Sequence, residues 1–323
     1  MFSLKLKEDK LSWAEFDDEY AKKNVSEILT GITDVYGTGV FQNSARVRKG
    51  IERLEKALVS SILTIRYQIR KGKFLPSGFE VPFRRDISMK PSEGKRRVLR
   101  LRGKIDRVDC AREDGTVFVR IVDYKSSAKS LDLNRVYDGR QMQLPMYLSQ
   151  ELSKLRKDGE TAHPAGMFYY HVEDPFISAD LGTTEEDIEK QRIRQSRLSG
   201  YVANDDRIIG LNDEDLADGN GDSNVIRVKY KQDGTPDGYS KVLNADDIND
   251  IITYTENLAK SLGDEILSGD ICVNPIEGES CKYCAYKGAC PYDRKIPGYT
   301  ARRAGKLKDD EILAAMREKN SGN

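Results

Sequence analysis

Nowhere do the 323 residues run apolar for the roughly 18 positions that a membrane helix requires, so no transmembrane helix is expected. The opening MFSLKLKEDKLSW has no apolar core of the secretory kind, and a cytoplasmic protein is expected. A surplus of charge is missing too: 53 basic side chains stand against 53 acidic ones. The total alone therefore does not point to a polyanionic partner. No G-x4-G-K-[ST] string occurs, so the chain is not expected to hydrolyse ATP by itself. Histidine is confined to His163 and His171, and cysteine comes to an odd five. Three of these cluster as Cys281-x2-Cys284-x5-Cys290, a density that suits a metal or cluster better than disulfides.

What is present is enough apolar sequence, 38%, for a sizeable core, in a chain that is 33% charged. Helical spacing covers 11–36 and 43–71; Asn43 or Ser44 is a candidate cap and Lys71-Gly72 a stop. Strand texture follows in Phe79-Glu80-Val81, 97–108 and 117–124. A helical pattern spans 133–155, a β-type aromatic run 167–171 and a polar helix 183–198. Asn, Asp and Gly crowd 204–224, which predicts an acidic surface loop. Residues 225–230 and 239–243 form a possible hairpin, 245–268 a helix, and a short helix lies near 309–319. The expected fold is α/β, a mixed central sheet flanked by helices. It divides into a helical segment (1–73), a core (74–270) and a cysteine segment with a tail (271–323).

Three strings carry the chemistry: Gly103-Lys104-Ile105-Asp106-Arg107-Val108-Asp109, Ile121-Val122-Asp123-Tyr124-Lys125 and Gln141-Met142-Gln143-Leu144-Pro145-Met146-Tyr147. Asp106 and Asp123 lie on consecutive strands, and side chains on adjacent strands stand about 5 Å apart. Two carboxylates so close repel each other unless a cation lies between them. Mg²⁺ takes one or two carboxylates with waters and phosphate oxygens. Lys125 projects on the same face as Asp123 and places an ammonium beside that site. Either pair alone more often marks a solvated strand face; the three strings together carry the argument.

GKIDRVD, DYK and Q-x3-Y resemble the RecB-type branch of the PD-(D/E)xK nuclease superfamily, most closely the AddB-type nuclease domain, over nearly the whole chain. A restriction-endonuclease-like fold and Mg²⁺-dependent cleavage of DNA are what the resemblance implies. It makes Asp106 and Asp123 metal ligands, with the Tyr124 carbonyl a further one, and Lys125 the catalytic lysine. Gln143 and Tyr147, one helical turn apart, become the helix motif facing the strand or the site; alternatively Tyr147 packs in the core and Gln143 lies at the surface. Glu80 is a candidate ligand or hydrogen-bonding group. Arg107 and Asp109 fit a supporting salt bridge better than chemistry. The implied partners are an AddA-like helicase–nuclease subunit and single-stranded DNA from unwound ends, in double-strand-break repair. A non-catalytic DNA-binding module and a CRISPR-associated RecB-like exonuclease are the alternatives.

The cysteines suit zinc or an iron–sulfur cluster. By resemblance, Cys281, Cys284 and Cys290 are the last three ligands of a [4Fe–4S] cluster. The first ligand of that family, and a histidine ligand in a Gly-x3-His motif, have no counterpart here. A fragment of a longer protein, with weak metal binding and an incomplete cluster, is therefore expected. Cys110 and Cys272 read as buried or structural thiols, with Cys272 as a substitute ligand the other option. From Arg84 to Arg107 the bases Arg84, Arg85, Lys90, Lys95, Arg96, Arg97, Arg100, Arg102, Lys104 and Arg107 face three acids. That stretch suits a phosphate backbone or, equally, a charged edge strand that blocks aggregation.

Overall fold

The structure, a computed structural model, describes residues 1–36, 44–89, 97–178, 180 and 182–322. Chain order is α1 (Phe2–Glu8), α2 (Asp18–Tyr36), α3 (Ala45–Lys71), β1 (Leu75–Ser88), β2 (Val98–Glu113), β3 (Thr116–Lys125), α4 (Leu133–Tyr137), α5 (Gln143–Lys157) and β4 (Thr161–His171). There follow α6 (Glu185–Gln195), β5 (Ser199–Ala203), α7 (Asp206–Asn212), a 3₁₀ turn at Glu214–Leu216, β6 (Val242–Leu243), α8 (Ala245–Ser268) and α9 (Asp309–Ser321). No helix among the described residues is long and apolar enough to cross a membrane.

The strands form one mixed sheet in the order β1-β2-β3-β4-β5-β6. β1–β2, β2–β3 and β4–β5 are antiparallel, whereas β3–β4 and β5–β6 are parallel. β3 reads Val-Phe-Val-Arg-Ile-Val because both of its faces are buried, and such a strand has no solvent side to alternate towards. α5 crosses between β3 and β4 and buries Leu144, Leu148, Leu152 and Leu155 on the sheet. Pro145 is tolerated in its first turn, where a backbone N–H has no intrahelical partner. A second, smaller cluster joins Phe2, Leu6, Phe16, Ala21, Val25 and Leu29 to Ile62 of α3.

Several elements depart from what the sequence predicts. Residues 11–17 are irregular, and the helix begins at Asp18. Asn43 lies outside the described residues, and Ser44 is the N-cap residue of α3 without a side-chain capping bond. The short strand at 79–81 is the middle of the long β1, which pairs with β2 as far as Ser88↔Val98. The 133–155 helix is two helices, parted where Gly139 takes φ +79°. The largest correction concerns 204–224. Asp205 and Asp213, read as loop formers, cap α7 and the 3₁₀ turn by accepting from Ile208 and Asp215 N–H groups. Ile208, Ile209, Leu211 and Leu216 are buried there. In place of the 225–243 hairpin stand isolated bridges and β6, which pairs in parallel with β5.

Candidate active site

β2 and β3 pair through Arg107↔Val122, so the next position along sets Asp106 opposite Asp123. Asp123 is 1% exposed and Asp106 half-buried. The Tyr124 N–H donates to Asp106 Oδ2 at 2.8 Å, which ties the β2 carboxylate to the β3 backbone. Asp123 Oδ1 accepts from Gln143 Nε2 at 2.8 Å. Asp123 Oδ2 is buried and forms an ion pair with the Lys125 ammonium. Lys125 Nζ also lies 3.4 Å from Gln143 Oε1. Gln143 Nε2 reaches the Tyr147 hydroxyl at 2.9 Å, so the first turn of α5 closes the group. Burial, and behind it the charges of Asp123 and Glu80, push the Asp106 carboxyl above its usual range; the Tyr124 N–H and Lys125 oppose the shift.

Asp106, Asp123, Lys125, Gln143 and Tyr147 thus converge. Tyr147 is both a core residue, at 8% exposure and edge-on to Phe83, and a hydrogen-bonding one, so the two readings of it combine. Gln141 works one turn away: its amide accepts from Asp132 N–H and donates to the Ser130 carbonyl, pinning the chain that leaves β3. Glu80 stands on β1 between the pairs Phe79↔Arg107 and Val81↔Ile105, hence across from Asp106. Its carboxylate engages Lys104 at 2.8 Å, and its φ of +50° is uncommon for a residue with a Cβ.

Sequence reasoning missed two neighbours. Tyr169 of β4 is in register with Asp123, and its ring lies under the ammonium groups of Lys125 (5.4 Å) and Lys129 (4.9 Å). Burial and the Lys125 charge hold Lys129 below the usual lysine range. Tyr169 sat unremarked in an aromatic strand, and Lys129 in a Ser-rich turn. Neither carries a local signal; only the β3–β4 register unites them with Asp123.

Among the described residues, no group of three or more His, Cys, Asp or Glu side chains is gathered as a ready-made metal cage. The two facing carboxylates nevertheless fit Mg²⁺, which takes few protein ligands and keeps its waters. Burial first, and then the facing Asp123 charge, hold the Asp106 carboxyl above its usual range, and a cation between the two carboxylates would relieve that repulsion. Among the described residues no three of the thiols are gathered as a ligand group. Cys272, Cys281 and Cys284 are exposed and Cys290 half-buried, which corrects the expectation of a buried Cys272. Cys110 is half-buried, with its thiol 3.4 Å from the Ser77 hydroxyl.

On the opposite face of β2, Arg107 grips Asp109 through Nε at 2.6 Å and Nη2 at 2.7 Å. Arg120 of β3 reaches the same carboxylate at 2.8 Å and Asn212 of α7 at 2.6 Å. All three charged groups have essentially no exposure. Arg107 is therefore part of the interior and not of a basic surface. Arg85 likewise turns to Ser149 and Glu256, and Arg100 to Asp86. Lys90, Lys95 and Arg96 lie outside the described residues. Arg84, Arg100, Arg102 and Lys104 remain on the exposed face of the β1–β2 ribbon.

Residues 12–291 match the PD-(D/E)XK nuclease superfamily. The curated relatives are named as subunits of an ATP-dependent helicase/deoxyribonuclease. The Clostridium botulinum (strain Hall) protein is 30% identical over 328 residues, covering 98% of this chain and 28% of the relative. The Thermoanaerobacter sp. (strain X514) protein is 30% identical over 314 residues, 95% of this chain and 27% of the relative. The Clostridium tetani protein is 33% identical over 328 residues, 98% and 28%. The chain thus spans little more than a quarter of the length of these relatives. With its mixed sheet, paired aspartates and neighbouring lysine, and a match over most of its length, this chain belongs to the PD-(D/E)XK nuclease superfamily.

Proposed function

We propose that this chain hydrolyses phosphodiester bonds of single-stranded DNA with the help of Mg²⁺, as the nuclease part of a helicase–nuclease that processes double-strand breaks. Support for a helicase–deoxyribonuclease assembly comes from the relatives' names alone, and the AddA-like partner is what the sequence resemblance implies. The observation that carries the chemistry is the meeting of Asp106, from the middle of β2, with Asp123 and Lys125 at the end of β3. Asp106, Asp123 and the Tyr124 carbonyl would hold the ion, which supplies Lewis acidity and an acidified water. Gln143 fixes Asp123 Oδ1, and Tyr147 fixes Gln143, so the carboxylate is oriented before substrate arrives. Lys125 places its ammonium where negative charge grows on the phosphate oxygens. The water oxygen bonds to phosphorus as the P–O3′ bond breaks, and the proton that the water gives up is balanced by the one that the leaving O3′ alkoxide takes from solvent. [4Fe–4S] binding at Cys281, Cys284 and Cys290 would need those thiols brought together with a further donor, and no step depends on it.

The test is cleavage of an end-labelled single-stranded oligonucleotide, with Mg²⁺ and with chelator. Lys125→Ala is expected to slow cutting by about 100-fold or more while DNA affinity holds. An unchanged rate in the variant rejects the assigned role. No Mg²⁺-dependent cutting by the unaltered chain, with DNA still bound, favours the non-catalytic alternative.

A further inference from the structure

Lys129 stands apart from the other basic groups around the paired aspartates. Lys125 is ion-paired with Asp123, Lys104 with Glu80, and Arg107 and Arg120 share Asp109. Lys129 has neither an ion pair nor a hydrogen bond to any described residue. It is half-buried, so its ammonium has given up part of its water and gained no carboxylate in exchange. What it meets is the Tyr169 ring, 4.9 Å from the centroid. The same ring lies under the Lys125 ammonium, and the β3–β4 register sets Tyr169 beside Asp123. Neighbours in register project from one face of a sheet, so Lys129 is tied to the face that carries Asp123 and Lys125. Burial, and then the Asp123 charge, push the Tyr169 hydroxyl up to about 12, so both ammonium groups rest on a neutral ring.

The chain that carries Lys129 is fixed at both ends. Residues 126–130 leave β3, and the buried Gln141 braces their far end. Its side chain donates to the Ser130 carbonyl at 3.1 Å and accepts from the Asp132 N–H at 2.9 Å. At the near end the Lys125 carbonyl accepts from the Val172 N–H at 2.9 Å. A cation held in this way loses less freedom when it takes up a ligand. The charges around it favour an anion: Lys125 and Arg135 act against the Lys129 proton, and only Asp123 acts for it.

We infer that Lys129 is a phosphate-binding residue of the active site: propped on the Tyr169 ring, its ammonium takes a non-bridging phosphate oxygen of the DNA strand there. This rests on the proposed DNA hydrolysis and adds which side chain holds the strand. The two lysines then divide the work. Lys125, paired with Asp123, meets the charge that grows as the bond is cut. Lys129, with no carboxylate partner among the described residues, meets the charge that the phosphate already carries, and Tyr169 is its positioning residue. A contact of the second kind is equally strong before and during the reaction, so its loss falls on KM and not on kcat.

The full chain is titrated with a labelled oligothymidylate over a series of salt concentrations, in chelator, which prevents cutting. Lys129→Met keeps an unbranched apolar stem over the Tyr169 ring and removes the charge. It is expected to bind the strand about 10-fold more weakly at low salt. The slope of log affinity against log salt is expected to become shallower by about 0.7, the share of one phosphate contact on a single strand. Lys129→Arg, which returns the charge, is expected to recover the slope. With Mg²⁺, Lys129→Met is expected to raise KM by a like factor, whereas Lys125→Ala lowers kcat. An unchanged slope in Lys129→Met, or a loss that Lys129→Arg does not recover, overturns the contact and leaves Lys129 as cover for the ring. If Lys129→Met shows the expected loss while the unaltered chain cuts nothing with Mg²⁺, the nuclease reading fails and the phosphate contact stands. If cutting requires Asp106 and the slope does not move, the contact alone is wrong. A chain that binds no strand loses both.

Discussion

Asp106 carries a charge that the folded chain resists. Burial raises its pKa first, and Asp123 and Glu80 add to it. A carboxyl whose folded pKa exceeds its unfolded one binds its proton more tightly when folded. Stability then falls as pH rises from the ordinary Asp range through the raised value, and stays lower above it. Asp106→Asn removes that loss. Without divalent ions, the variant is expected to be the more stable protein at neutral pH. The gain is less than about 1 kcal/mol, because the group is half-buried and solvent screens it. The gain should vanish in acid below the ordinary Asp range. Thermal melts of both proteins across pH, in chelator, decide this; a difference that widens in acid contradicts it. The same shift means that acid opposes ion binding, since Asp106 must first lose its proton.

Among the elements, the β2–β3 pair bears the strain of holding two like charges together. Behind it, Arg107, Asp109 and Arg120 cross-link the two strands to α7 through Asn212. One buried carboxylate balances two guanidinium groups here, and burial alone would drive Arg120 down. Asp109→Ala leaves both cations uncompensated and is expected to cost about 3–5 kcal/mol, read as a lower urea midpoint. A loss under about 1 kcal/mol would mean that water reaches the cluster. The sequence showed Arg107 and Asp109 as a salt bridge because they lie two apart on one strand. Arg120, in the middle of an apolar run, showed nothing of its part, since its partner Asn212 is far along the chain. The same division holds elsewhere. Asp106, Asp123 and Lys125 were legible because their spacing and the apolar run before Asp123 are local facts. Gln143 and Tyr147 were legible as one helical turn. α7 was not, because its capping aspartates are chemically the residues of a loop. Tyr169 and Lys129 were not, because a parallel register cannot be read from either strand alone. Arg85 and Arg107 counted towards a basic stretch whose inward and outward faces only packing separates.

Across the whole molecule, no single element owns the site. Asp106 comes from β2, Asp123 and Lys125 from β3, Gln143 and Tyr147 from α5, and Tyr169 from β4. Only the assembled sheet with α5 seated on it brings these groups within reach of one another. A ligand that binds the folded chain and not the unfolded one must raise its stability, by about 2.7 kcal/mol when present at 100-fold over its Kd. Ion binding by the paired aspartates, as proposed, would therefore be a property of the fold as a unit, readable without any substrate. The decisive measurement is the thermal midpoint with increasing Mg²⁺ for the unaltered chain, Asp106→Asn and Asp123→Asn. The two-carboxylate account predicts a midpoint that climbs by a few degrees in the unaltered chain and stays flat in both variants. An equal climb in all three proteins would contradict it.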